Sequence, residues 1–239
     1  MPTLKSTKEA EETKSVKHSC EFCSREFIKE RTLLTHICET KHRWLEKDKQ
    51  SNRIAYQSFV QFYTKHTATK KTKTQLEFIK SPYYIAFAKF GTYCVDTNCI
   101  NISRYVDWLL RDQIKLDNWA TDTNYTKFLQ EYVRVEDAYD AITRSVQYTI
   151  ELAQAEHILP HDILRYGNVN KICYAITTGK ISPWMLYQSD SGVHFLDTLN
   201  SDHVKMIIDY INPEQWTLKF RREPELVTQI KELLNAGGY

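Results

Sequence analysis

Glycine and proline are scarce in this chain, six of each among 239 residues. So small a supply of turn formers disfavours a sandwich or barrel of many short strands and favours helices. It also leaves no glycine-built phosphate loop: neither GxGxxG nor GxxxxGK[ST] occurs. No apolar run approaches the roughly 18 residues of a spanning helix, so no membrane partner is expected. Residues 1–17 lack the apolar stretch of a secretory leader. Without an export signal, the six cysteines at 20, 23, 38, 94, 99 and 173 read as reduced thiols or metal ligands rather than a disulfide framework. The expected compartment is the cytoplasm, or the host cytoplasm if the protein is viral.

What is present is enough to build a core. Hydrophobic residues make up 42% and aromatics 13%, which excludes wholesale disorder. The formal charge of +2 hides an asymmetry. Residues 1–80 carry 17 basic and 10 acidic side chains, a net of +7; the rest carry 15 and 20, a net of −5. Such a split suggests separate roles, with the basic part the candidate for nucleic acid.

The expected fold is mainly α: a small N-terminal ββα module, a basic helical connector and an α-helical domain. Residues 1–17 are polar and charged and read as a disordered tail. A Cys/His segment spans 18–43, a basic helical connector 44–75 and a helical domain 76–239. Within the last, Pro82 opens or kinks a first helix and Gly91 is a candidate stop. Tyr93, Val95 and Ile100 suggest short extended pieces over 92–100. Asn101 or Ser103 caps the next helix, Thr123 starts another, and a further one fills 136–157 before Pro160. Ser201 precedes a helix carrying Val204, Ile207, Ile208 and Ile211, and Pro224 opens a final one that Gly237–Gly238 ends.

The chemistry concentrates in HSCEFCSREFIKERTLLTHICETKH, His18 to His42. Cys20, Cys23, His36 and His42 follow C-x2-C-x12-H-x5-H, within the Cys2His2 zinc range. Two thiolates on a turn and two imidazoles on a helix complete a tetrahedral shell for one zinc ion, while Phe27 and Leu33 supply a small core. Cys38, lying between the two histidines, and His18 compete for the fourth position. These residues, with the frame Cys23-x3-Phe27-x5-Leu33-x2-His36, resemble the Cys2His2 zinc-finger family over about 25 residues.

The resemblance implies base-facing helix positions at Lys29, Thr32 and Thr35, with Arg31 beside them. The finger itself is neutral: Arg25, Lys29, Arg31 and Lys41 balance Glu21, Glu26, Glu30 and Glu39. A single finger covers about 3 base pairs, too few for sequence-specific binding alone. The positive charge lies downstream. Residues 40–80 hold ten basic side chains against three acidic ones, with Trp44, Tyr56 and Tyr63 interleaved. Lys41, Arg43, Lys47, Lys49, Arg53, Lys70, Lys71 and Lys73 are therefore the expected phosphate contacts. A solvated helix face and a linker would have the same composition.

Other clusters have ordinary explanations. Cys94-x4-Cys99 with Cys173 or His66 fits no common zinc spacing, and free cysteine is usually a small buried hydrophobe. His194, Asp197 and His203 lack a nucleophile frame such as GxSxG. Asp107, Asp112, Asp117, Asp122, Glu136, Asp137 and Asp140 sit at helix starts and faces, without a paired-carboxylate signature for Mg2+-dependent nuclease chemistry. Trp108, Trp119, Trp184 and Trp216 read as core anchors.

The expected function is therefore that of a non-enzymatic zinc protein that binds nucleic acid, DNA ahead of RNA, with a protein partner for the helical domain. The alternative is a protein-interaction adaptor in which the finger is a structural staple. A metal-dependent nuclease comes last. In overall character, one finger followed by a basic segment and an aromatic-rich helical domain, the chain resembles uncharacterised zinc-finger proteins of large tailed phages.

Overall fold

The structure is a computed structural model that describes residues 17–66 and 72–239. The expected tail falls outside them except for Lys17; Lys70 and Lys71 lie outside them too.

Two short strands, β1 (His18–Ser19) and β2 (Glu26–Phe27), pair antiparallel with His18 opposite Phe27. The turn between them is closed by Cys20 N–H to the Arg25 carbonyl at 2.9 Å and Ser24 N–H to the Cys20 carbonyl at 2.7 Å. Ser24 takes φ 58°, the left-handed region. Helix α1 (Glu30–Thr35) follows and completes the expected ββα order. After His36–Cys38 comes α2 (Glu39–Leu45).

The rest is helical. Helices α3 (Gln50–His66), α4 (Gln75–Ile79) and α5 (Tyr84–Asp96) form the first group. Gly91 does not stop α5, and 92–96 are helical rather than extended. The physical reason is helix packing. A Cβ on Gly91 would lie 2.1 Å from the Ser51 carbonyl oxygen and 3.0 Å from the Ala55 nitrogen. Glycine here lets α3 press against α5, and burial of Phe90 and Cys94 overrides the β preference of Tyr93 and Val95. Ala55 and Phe59 of α3 enter the same core as the later helices, so the segment read as a connector supplies core side chains.

Asn101, at φ 40°, caps α6 (Ile102–Arg111) by accepting the Arg104 N–H at 3.2 Å. Helices α7 (Asp122–Val135) and α8 (Ala138–Glu156) follow. Asp137 caps α8 through the N–H groups of Tyr139 and Asp140, and His157 ends it in a left-handed conformation. Four short helices come next, where periodicity was too brief to assign them: α9 (Ile163–Tyr166), α10 (Val169–Thr177), α11 (Pro183–Gln188) and α12 (Asp190–Asp197). The chain then runs through α13 (Ser201–Ile211), α14 (Pro213–Arg222) and α15 (Pro224–Ala236), the last opened by Pro224 as expected.

Aromatic rings fill the centre. Trp119 is fully buried, 5.3 Å from Phe90 and 5.7 Å from Phe87 between ring centroids, and its indole N–H donates to the Ile114 carbonyl at 3.0 Å. A second cluster joins Trp184 to Trp216 at 6.1 Å and to Phe220 at 5.0 Å. Burial on this scale is the main driving force for folding these helices. One buried ion pair crosses this region: Arg144 holds Glu136 bidentately and donates from Nε to the Gly179 carbonyl at 2.7 Å.

Candidate metal centre

Four side chains converge in the N-terminal module: Cys20, Cys23, His36 and Cys38, with their donor atoms all within 4.8 Å of one another. Cys23 Sγ lies 3.3 Å from His36 Nε2, and Cys20 Sγ lies 4.0 Å from Cys38 Sγ. A tetrahedral zinc shell with bonds of about 2.0–2.3 Å sets its donors about 3.5–3.8 Å apart, so this is a Cys3His group that can hold a metal ion.

His42 is not among the four. The expected spacing presumed one helix carrying both histidines on one face. Here α1 ends at Thr35, and His36 is extended at φ −72°, ψ 122°. Cys38, also extended, is the N-cap of α2, its Sγ accepting the Lys41 N–H at 3.4 Å. This break turns Cys38 inward toward Cys20. His42 sits one turn into α2, exposed.

Each donor is positioned by local structure. Cys20 follows β1, is 5% exposed, and receives the backbone N–H groups of Cys23 and Phe22. Those donors pull its thiol below the ordinary range and favour the thiolate that a metal requires. His36 caps α1, and its ring lies 4.8 Å from that of Phe27, tilted. Phe27 and Leu33 are half-buried, and neither α1 nor α2 has a buried residue. So thin a core does not fold a segment of this size unaided.

The module is fastened to the helices by α2. Arg43 donates from Nη1 to the Ile79 carbonyl at 2.8 Å and places its guanidinium 4.2 Å from the Tyr84 ring centroid, while pairing with Glu39. Phe22 and Trp44, 6.0 Å apart, pack against the edge of the main core.

The expected phosphate contacts divide into two sets. Arg43, Lys47, Lys49 and Lys73 are paired with carboxylates: Arg43 with Glu39, Lys47 with Asp48 while lying over Trp44, Lys49 with Glu46 at the surface, and Lys73 with Glu77 while lying over Tyr63. Lys41 donates to the His36 carbonyl at 3.0 Å. Lys29, Arg31 and Arg53 are exposed and make no ion pair among the described residues. Thr32 and Thr35 are exposed on α1, the Thr35 hydroxyl turned back to the Arg31 and Thr32 carbonyls. The interleaved aromatics are packed too, Tyr56 on Phe78 with its hydroxyl donating to the Lys73 carbonyl, and Tyr63 on Phe59.

Among the described residues no second group of three metal-binding side chains forms. Cys94 is buried at the end of α5, and the adjacent Cys99 thiol together with burial raises its pKa far above the ordinary range, which makes it an inert thiol. The acidic candidates are engaged separately. Asp107 pairs with Lys65, Asp112 with Arg111 and Glu136 with Arg144, and Asp122 accepts from the Tyr93 hydroxyl. Comparison of the chain with protein-family models, curated proteins and solved structures finds no match.

Proposed function

We propose that this chain is a non-enzymatic zinc protein whose metal is structural, and that its partner is nucleic acid. The observation that carries the first part is the Cys3His group. Four protein donors close a tetrahedral shell and leave no position for a substrate or water, as in structural rather than catalytic zinc sites. Three thiolates and an imidazole suit zinc better than magnesium or calcium, which prefer oxygen. Metal analysis should return one zinc per chain, lost in Cys20→Ala, His36→Ala and Cys38→Ala and kept in His42→Ala. Loss in His42→Ala with retention in Cys38→Ala would overturn this ligand set.

The nucleic-acid reading draws on Lys29, Arg31 and Arg53, exposed cations without carboxylate partners among the described residues. Metal binding itself works against it locally. One zinc dication with three thiolates adds about one negative charge to a finger that is otherwise neutral. Attraction must therefore come from individual side chains such as these and stay modest. Binding of labelled DNA and RNA should weaken with salt, and Lys29→Gln with Arg31→Gln should flatten the slope of log K on log salt by about 1.4 for single strands. No affinity at low salt would sink it.

One observation favours the adaptor reading instead. Ile28, Leu34 and Ile37 of the module are 74%, 71% and 63% exposed. An apolar group of this kind suits a protein partner. Under that reading, Leu34→Glu abolishes partner capture while Lys29→Gln and Arg31→Gln leave it intact.

A further inference from the structure

The helical region has an excess of acid, yet one face of it gathers cations. A cleft of about 530 Å3 between α7 and α14 is lined by Arg134, Lys219 and Arg222, with Glu223 its one carboxylate. That volume falls within the range of small-ligand sites. Val135 and Leu218 form an exposed apolar rim. Two neighbouring depressions share its residues: one through Val135, the other through Arg134, and both are lined by Trp108. They add Arg104 and Lys127.

The carboxylates along this face are already matched. Glu223 takes Lys219 at 3.5 Å, Asp107 takes Lys65 at 2.6 Å, and Asp112 and Glu131 both take Arg111 at 2.7 Å. Arg104, Lys127, Arg134 and Arg222 are left without an ion pair among the described residues. Arg134 donates from Nη2 to the Asp209 carbonyl at 3.2 Å, but its Nε is buried and has no acceptor among the described residues. A buried donor without an acceptor is costly and uncommon, and this one belongs to a side chain that lines the cleft. The C-termini of α7 and α14 favour a cation each, and their partial negative charges reduce the field here. Three cations against Glu223 and two helix ends, each worth about half a charge, still leave the cleft positive by about one charge.

We propose that this cleft binds a phosphate-bearing ligand, with Arg134 and Arg222 as the unpaired charged contacts and Lys219 beside them. Phosphate supplies several acceptors at once and pairs bidentately with guanidinium groups. The site is separate from the metal centre and does not depend on the partner proposed for it.

The test uses the full zinc-loaded chain with two probes, inorganic pyrophosphate by calorimetry and a fluorescent dT12 by anisotropy. The variant is Arg222→Gln, an exposed position whose loss leaves the core intact. Both probes should bind, and the variant should weaken them about tenfold or more, since charged hydrogen bonds are lost, with an unchanged melting temperature. For dT12 the salt slope should also fall by about 0.7. Weakening of dT12 alone identifies a strand as the source of the phosphate; weakening of pyrophosphate alone identifies a small phosphate compound. If neither probe binds, or both bind the variant as they bind the parent, the proposal is wrong. If dT12 affinity responds only to Lys29→Gln with Arg31→Gln, strand binding belongs to the module and not to this cleft.

Discussion

The N-terminal module and the helical region that follows it are held together by different physics. The module gathers four metal-binding side chains around two half-buried apolar residues, and Cys20 is its one buried hydrophobic residue. The helical region encloses Trp119, Trp184, Trp216 and a network of buried tyrosine and phenylalanine rings at 0–8% exposure, with no comparable group of metal donors among the described residues. Local coordination chemistry can organise about 25 residues; aromatic burial organises the longer chain.

Metal removal should therefore break the two regions apart most sharply. Structural zinc contributes on the order of 10–16 kcal/mol to finger-sized peptides at neutral pH. Chelation, or Cys20→Ser, should abolish amide-exchange protection over residues 18–45 while the near-ultraviolet dichroism of the buried tryptophans persists. A global loss of that signal would mean that the helices need the metal as well. The converse experiment is Trp119→Ala, which should cost about 3–5 kcal/mol by opening a cavity in the aromatic cluster. Below the lowered melting temperature, the variant should still hold one zinc.

Gly91→Ala probes the joint inside the helical region. The added methyl meets the backbone of α3, so a loss of about 1–3 kcal/mol is expected in denaturant unfolding. An unchanged midpoint would show that α3 can move aside. The smallest effect should come from Thr74→Ala, which removes the capping box of α4 at about 1 kcal/mol. Its partner Glu77 has its pKa lowered to about 2, first by the Thr74 backbone N–H, then by the Lys73 side chain. A lowered folded-state pKa stabilises above the unfolded value, so this contribution is complete above about pH 4.5 and fades as pH falls toward 2. Glu77→Gln, which removes the titrating group, should flatten that acid limb of the melting profile.

Local signals in the sequence led to the right local structures. The cysteine pair and His36 mark the candidate metal centre, Asn101 and Pro224 mark helix starts, and the scarcity of glycine and proline points to helices. What the sequence concealed depends on distant partners. Whether Cys38 or His42 joins the site turns on a backbone break at 36–38 that residue spacing does not encode. Gly91 reads the same whether it ends a helix or admits another one, until Ser51 is seen beside it. Lys65 looked like part of a free basic run because Asp107, its counter-charge, lies 42 positions away.

Arg43 also makes the two regions one thermodynamic system. Its guanidinium belongs to α2, whose N-cap Cys38 is one of the four candidate metal donors, yet its contacts are a carbonyl of α4 and a ring of α5. Any free energy that a metal bound there would gain from seating Arg43 on those helices would be gained equally by the helices from the metal. Reciprocity then requires that whatever displaces the Tyr84 ring, by mutation or by a bound partner, lowers zinc affinity by the same factor by which zinc opposes that displacement. With a metal bound at the four donors, its occupancy would report events on a surface that none of them touches.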